Sequence, residues 1–156
     1  MTSYVDMRKE FPGLRGLHIH AVDVKIEPLE AALSARDFKV YMIDGSKISD
    51  KKTFFNETAQ TFGFPDYFSY GWDGFDDCFS EVKLGPERKI AIVWQDADQM
   101  LSADVQTFLE AVCTFYNFAF GLRTCDKAEG ESIQLEVFLV GHGKEFNVKL
   151  ELEDGS

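Results

Sequence analysis

Residues 64–82 read FPDYFSYGWDGFDDCFSEV, and the remainder of the chain is best understood from this stretch. It holds seven aromatic and five acidic residues, with no Lys or Arg. Aromatic side chains are typical of a core or of the centre of an interface, whereas carboxylates without basic neighbours favour a cationic partner. The composition predicts a binding surface, with the flanking segments as its scaffold.

A helix from about residue 70 to residue 82 would separate this stretch into two faces, because successive side chains are about 100° apart. One face is apolar and carries Trp72, Phe75, Cys78, Phe79 and Val82. The other is acidic and carries Asp73, Asp76, Asp77 and Glu81. Like charges four residues apart, such as Asp73 and Asp77, repel each other. The pattern favours an acidic face that a partner neutralises; the alternative is a solvated face of one sign.

A short loop precedes this helix and carries three aromatic residues. Tyr67 and Tyr70 lie next to the acidic residues in sequence. Tyrosines next to charged residues are typical of the side chains that anchor an interface. Phe68 lies between them and is predicted to fill the core. The predicted partner-binding residues are Tyr67, Tyr70, Asp73, Asp76, Asp77 and Glu81.

Apolar runs on both sides of this stretch predict strands. The central three are 38–43, 89–94 and 133–140, and the run KIAIVW at 89–94 is apolar enough to be buried on both faces. Two outer segments also have strand character, 17–22 and 146–152. We expect them to extend the edge of the sheet.

Helical spacing separates these strands. Helices are predicted at 27–35, at 51–62 with Ser49 or Asp50 as the N-cap, and from Ser102 onwards. Gly63 and Pro65 mark the end of the second of these helices. Residues 121–131 are polar and predict a loop. Strands that alternate with helices indicate an α/β fold, with a small parallel three-stranded sheet and helices packed on it.

Composition restricts the possible classes of function. The 156 residues carry 16 basic and 27 acidic side chains, a net charge of −11, which argues against general nucleic-acid binding. There is no apolar run of transmembrane length and no apolar core of a signal peptide near the first residue. We therefore expect a cytoplasmic protein that binds neither membranes nor small-molecule substrates and uses no cofactor.

Cysteine and histidine are few. The three cysteines have no Cys-x-x-Cys spacing, and Cys78 and Cys113 lie among apolar residues, so both are expected to be small core side chains. His18, His20 and His142 would approach one another only if the two outer strands met. That arrangement would allow a zinc site, although exposed histidines on a strand are the simpler interpretation.

The order of residues in the opening stretch resembles the signature of the barstar family, which are intracellular polypeptide inhibitors of ribonucleases. The resemblance rests on the runs Pro65-Asp66-Tyr67-Phe68, Trp72-Asp73 and Asp77-Cys78-Phe79, together with Phe75. It covers about residues 38–140. We expect one barstar-like domain over 1–156, in which 1–37 and 142–156 are N- and C-terminal extensions.

The resemblance implies which residues face a nuclease. The residues that match Tyr67, Asp73 and Asp77 do so in the family, and the aspartate matching Asp77 takes the place of substrate phosphate in the cationic active site. The implied function is that of an antitoxin or immunity protein of bacterial type. The implied partner is a basic ribonuclease of extracellular type or a nuclease toxin.

Three features depart from the family pattern. Ser69-Tyr70-Gly71 stands where the family has Gly-x-Asn, and Asp76 stands where the best-known member has an exposed tryptophan. Residues 114–120 contain no acid, although that member uses a glutamate there. The loop path and the identity of the nuclease are therefore expected to differ.

Two other functions remain open. The chain could be an interaction module of the same fold without a nuclease partner. It could also be a Mg²⁺-dependent enzyme with Asp73, Asp76 and Asp77 as oxygen ligands. The enzyme hypothesis lacks a Gly-rich phosphate loop and a nucleophile elbow.

Overall fold

A computed structural model describes residues 13–14, 17–20, 26–83, 88–124 and 134–142. In these ranges there are five strands: β1 (Gly13–Leu14), β2 (Leu17–His20), β3 (Lys39–Asp44), β4 (Lys89–Gln95) and β5 (Gln134–Val140). The same ranges hold five α-helices: α1 (Ile26–Ala35), α2 (Lys51–Phe62), α3 (Trp72–Lys83), α4 (Ala97–Ala103) and α5 (Val105–Thr124). A short 3-10 helix, Gly45–Lys47, follows β3.

The strands form one sheet in the order β1-β2-β5-β4-β3. Strands β3, β4 and β5 are parallel, as predicted, and register pairs Ile43 with Trp94 and Trp94 with Leu139. Strand β2 adds a fourth parallel strand beside β5, and β1 pairs with β2 in the antiparallel sense. The first outer segment therefore extends the sheet as expected, whereas 146–152 lies outside the described residues.

The two faces of the sheet carry separate apolar clusters. Helix α1 covers the smaller cluster through Leu29 and Leu33, which pack with Phe138 on the central strand. Helices α2, α3, α4 and α5 cover the larger cluster on the opposite face. Residues 90–94 of β4 are fully buried between the two, which confirms the prediction for this strand. The fold is thus α/β, with most of its helical surface on one side of the sheet.

The second half of the chain differs from the prediction at the start of α5. Asp104, and not Ser102, is the N-cap of this helix, because its carboxylate accepts hydrogen bonds from the backbone N–H and the hydroxyl of Thr107. Ser102 instead lies inside α4, a helix that was not predicted. Helix α5 also continues to Thr124, so the first four residues of the predicted loop at 121–131 are helical, and 125–131 lie outside the described residues.

Cys113 is a second correction. It is exposed, whereas Cys78 is buried as expected. Cys113 lies eight residues after Val105 and four after Leu109, and both of these are about half exposed. The three share the outward side of α5 because residues four apart lie on the same face of a helix.

No helix within the described ranges combines the length and the apolar character that a membrane crossing requires.

Candidate functional site

The site begins with the chain reversal at the end of α2. Asp50 caps the start of this helix in a capping box with Thr53, and Gly63 ends it in the left-handed conformation at φ 67°. Both ends were predicted from the sequence. The chain then enters the loop at Phe64, whose N–H bonds to the carbonyl of Ala59 at 2.9 Å. The loop leaves α2 at a fixed position and delivers the chain to α3.

Helix α3 is anchored by aromatic side chains that are fully buried. Phe75 and Phe79 have no exposed surface, and Cys78 is 2% exposed. The Phe79 ring stacks on Phe118 of α5 at 4.6 Å, and the Phe75 ring stacks on the same residue at 6.2 Å. Because protein interiors are closely packed, these contacts hold α3 in a fixed position, and the side chains on its outer side are held with it.

The outer side of α3 is acidic, as the sequence predicts. We call Asp73, Asp76, Asp77 and Glu81 the acidic face; all four are exposed. From Trp72 to Glu81 the helix has no basic side chain. Among the described residues, no basic side chain forms an ion pair within 4.0 Å of Asp73, Asp76 or Asp77. Their negative charge is therefore directed at solvent.

Tyr67 lies at one end of the acidic face. Tyr67 is 69% exposed, and its hydroxyl donates a hydrogen bond to Glu81 Oε2. The bond to this carboxylate raises the pKa of Tyr67 above its ordinary value near 10. Phe68, the next residue, is buried, which confirms its predicted core role. The structure therefore brings Tyr67 and Glu81 together and keeps the tyrosine ring accessible.

The segment Ser69-Tyr70-Gly71 follows, and its backbone is unusual. Tyr70 has a left-handed conformation at φ 56°, which side chains other than glycine seldom adopt. Its ring leans on Phe68 at 4.8 Å and is 53% exposed. Gly74 of α3 allows the loop to pass close by, because a Cβ there would lie 2.2 Å from Ser69 Oγ. The loop and α3 are thus in direct contact, and Tyr70 projects from their junction.

Glu110 of α5 was not identified from the sequence. One of its carboxylate oxygens accepts a 3.0 Å hydrogen bond from the indole N–H of Trp72, and Lys51 of α2 approaches the same oxygen at 3.4 Å. The hydrogen bond from Trp72 is the main reason that the pKa of Glu110 is lowered. This carboxylate therefore joins three helices beside the acidic face. No spacing in the sequence signals a contact across 38 residues.

The acids of α3 do not form a metal-binding cluster within the described residues, and the three-histidine site lies partly outside them. Among the described residues, no group of three or more His, Cys, Asp or Glu side chains is arranged to hold a metal ion. His142 lies 3.2 Å from Asp96 Oδ1, and its backbone N–H bonds to Asp98. The side chains of His18 and His20 lie outside the described part of the chain. Their strand runs beside β5, with His20 opposite Val140.

One solved structure is similar to this chain at low sequence identity. It is the Aeropyrum pernix ORC2 protein in its ADP form, which is 11% identical in sequence. The match covers 89% of this chain and 38% of that one, so this chain spans well under half of the ORC2 chain. The TM-score is 0.44. No curated protein matches the sequence.

The model of the family described as barstar (barnase inhibitor) matches residues 38–140. This range contains β3, β4 and β5, the loop at Tyr67 and the whole acidic face. It also spans more than half of the 156 residues. The chain therefore belongs to the barstar family, whose members are non-enzymatic inhibitors that bind ribonucleases.

Proposed function

We propose that this protein inhibits a ribonuclease or nuclease toxin by covering the cationic active site of that enzyme with the acidic face of α3. The observation that carries the proposal is the exposure of Asp73, Asp76, Asp77 and Glu81 on a helix whose inner residues Phe75, Cys78 and Phe79 are buried. A nuclease must hold phosphate with basic side chains, and fixed carboxylates offer those side chains the same charge. Family membership supplies the nuclease as the expected target.

Asp77 is proposed to enter the active site. It lies one turn after Asp73 on the exposed side of α3, and Tyr67 and Glu81 are joined by a hydrogen bond at the C-terminal end of the same face. Preorganised groups lose little conformational entropy on binding, which favours affinity. Tyr67 and Tyr70 are proposed to contact the partner around this charged centre, since both rings are more than half exposed.

The net charge of −11 supports rapid association with a basic partner. Attraction between oppositely charged proteins raises the association rate and weakens as salt screens it. From its membership of the family, we also propose that the chain acts as one domain without a cofactor. We propose that it acts in the cytoplasm, where an inhibitor would protect the cell from its own or an incoming nuclease.

The test is inhibition of RNA cleavage by a panel of small basic bacterial ribonucleases that includes barnase. We expect stoichiometric inhibition of at least one member, with an association rate that falls as salt rises and a dissociation rate that changes less. The proposal fails if none of the ribonucleases and no nuclease that copurifies from cells is bound. Recovery of the protein in a large assembly without a nuclease would favour an interaction module instead.

A further inference from the structure

An open groove of about 500 Å³ lies between α2 and the loop that precedes α3, and it carries basic side chains. It is lined by Lys51, Lys52, Phe55 and Asn56 of α2 and by Tyr70 of the loop. We call it the lysine groove. Phe55 is almost completely buried and forms the floor, while the stems of the two lysines add apolar carbon to the walls. The groove thus offers apolar contact below and positive charge at its rim.

The two lysines are not equivalent. Lys51 pairs with Glu110 at 3.4 Å, so part of its charge is balanced. Lys52 is exposed, and within the described ranges it lies within 4.0 Å of no carboxylate that would pair with it. The exposed amide of Asn56 adds a hydrogen-bonding group one turn further along α2. A carboxylate that entered the groove would therefore meet an available ammonium group.

Tyr70 connects the groove to the proposed nuclease-binding surface. It belongs to the loop that passes against α3 at Gly74, and it is also one wall of the groove. Its left-handed backbone holds the ring at this boundary. A protein that covers the acidic face and contacts Tyr70 would also reach the lysine groove.

Resting on the proposed function, we infer that the lysine groove is a second docking site for the same partner and receives an apolar side chain flanked by an acidic residue. Charge complementarity selects this occupant, because a basic segment would be drawn to the acidic face and repelled by Lys52. The partner would then carry an acidic and apolar protrusion next to its cationic active site. Such a paired pattern of charges distinguishes one nuclease from another.

The chemistry of the groove can be tested without a nuclease. We would titrate the protein with 3-phenylpropionate and with phenethylamine, which have similar rings but opposite charges, and follow backbone amides by NMR. We expect saturable shifts at Lys52, Asn56 and Tyr70 with the carboxylate, at a dissociation constant on the order of millimolar. Lys52→Glu should abolish them, and Lys39→Glu, at the far end of β3, should not. Equal shifts with the amine, or no shifts with the carboxylate, overturn the inference.

Binding to the partner is tested with the same two variants. Each substitution makes the net charge more negative by two. If long-range electrostatic attraction were the only effect, each variant would associate with a basic ribonuclease at least as fast as the unsubstituted protein does. We expect Lys52→Glu to weaken the complex about tenfold, and Lys39→Glu to leave it unchanged or tighter. If a ribonuclease binds and the two variants behave alike, the groove is not a docking site for it. If none binds, the proposed function fails, and the probe titration still decides whether the groove takes aromatic carboxylates.

Discussion

The indole N–H of Trp72 donates to a carboxylate oxygen of Glu110 at 3.0 Å, and this bond fixes the start of α3 to α5. Trp72 also packs edge-on against Phe55 of α2, at 4.9 Å between ring centroids. The orientation of the acidic face therefore depends on a polar contact as well as on the aromatic core beneath it.

This contact should be measurable as a coupling between the two residues. We expect Trp72→Phe and Glu110→Ala each to lower the unfolding midpoint, and the double variant to lose less than the sum of the two, because either change alone removes the bond. Urea unfolding of the four proteins provides the measurement. Strict additivity would show that the bond does not contribute to stability.

The core beneath α3 should be sensitive to truncation. Phe75 contacts the rings of Phe54, Phe55, Phe115 and Phe118, so Phe75→Ala should cost about 3–5 kcal/mol of unfolding free energy. Tyr67→Ala, at an exposed ring, serves as the control and should cost much less. A loss below about 1 kcal/mol for Phe75→Ala would contradict the described packing.

Gly74 should control the position of the loop. A Cβ at this position would lie 2.2 Å from Ser69 Oγ and 3.2 Å from the Ser69 amide nitrogen. We therefore expect Gly74→Ala to displace Ser69 and Tyr70 and to weaken partner binding, although alanine favours a helix. Chemical shifts of the Tyr70 amide report the displacement directly.

The matched variant is the double substitution Gly74→Ala with Ser69→Gly, which removes the nearest clashing atom. It should restore most of the binding that Gly74→Ala loses. Binding that is unaffected by Gly74→Ala alone would mean that the loop does not need its close approach to α3.

The extent to which the sequence predicts the fold varies with the distance over which the decisive contacts act. Helix α2 was predicted at both ends because Asp50 and Gly63 act on their immediate neighbours. Ser102 and Asp104 are both good capping residues, and only the bonds that Thr107 makes to Asp104 distinguish them. Local chemistry alone does not make that choice.

The same limit applies to the candidate site. The acidic face follows from helical spacing, and a core role for Phe68 was preferred to contact with a partner; both predictions agree with the observed burial. Glu110 and the lysine groove combine α2 with the loop or with α5, and no periodicity reports how distant elements pack. Cys113 was misassigned because its apolar neighbours in sequence do not share its side of the helix.

Stability should decrease in acid through two helix caps and Glu110. Bonds from the backbone N–H groups of Thr53 and Thr107 lower the pKa of Asp50 and Asp104, and the bond from Trp72 lowers that of Glu110. Each of these carboxyl groups has a lower pKa in the folded protein than in the unfolded chain. Its contribution to stability is therefore complete above the unfolded pKa, near 4, and is lost as the pH falls through the folded pKa.

Asparagine at the two caps provides the control, since it caps helices about as well as aspartate but does not titrate. The double variant Asp50→Asn with Asp104→Asn should lose less stability than the unsubstituted protein between pH 7 and pH 3, measured by urea unfolding. An equal loss in both proteins would show that the caps do not contribute to the acid sensitivity.

The central claim is that Asp77 is presented to a cationic nuclease site, and binding kinetics test it most directly. Asp77→Ala is compared with Glu30→Ala, which removes an exposed carboxylate from α1 on the other face of the sheet and so changes the net charge equally. With a ribonuclease that the protein inhibits, we predict that Asp77→Ala raises the dissociation constant about thirtyfold or more, mainly through faster dissociation, and that Glu30→Ala changes it little. Equal affinities for the two variants would contradict the account.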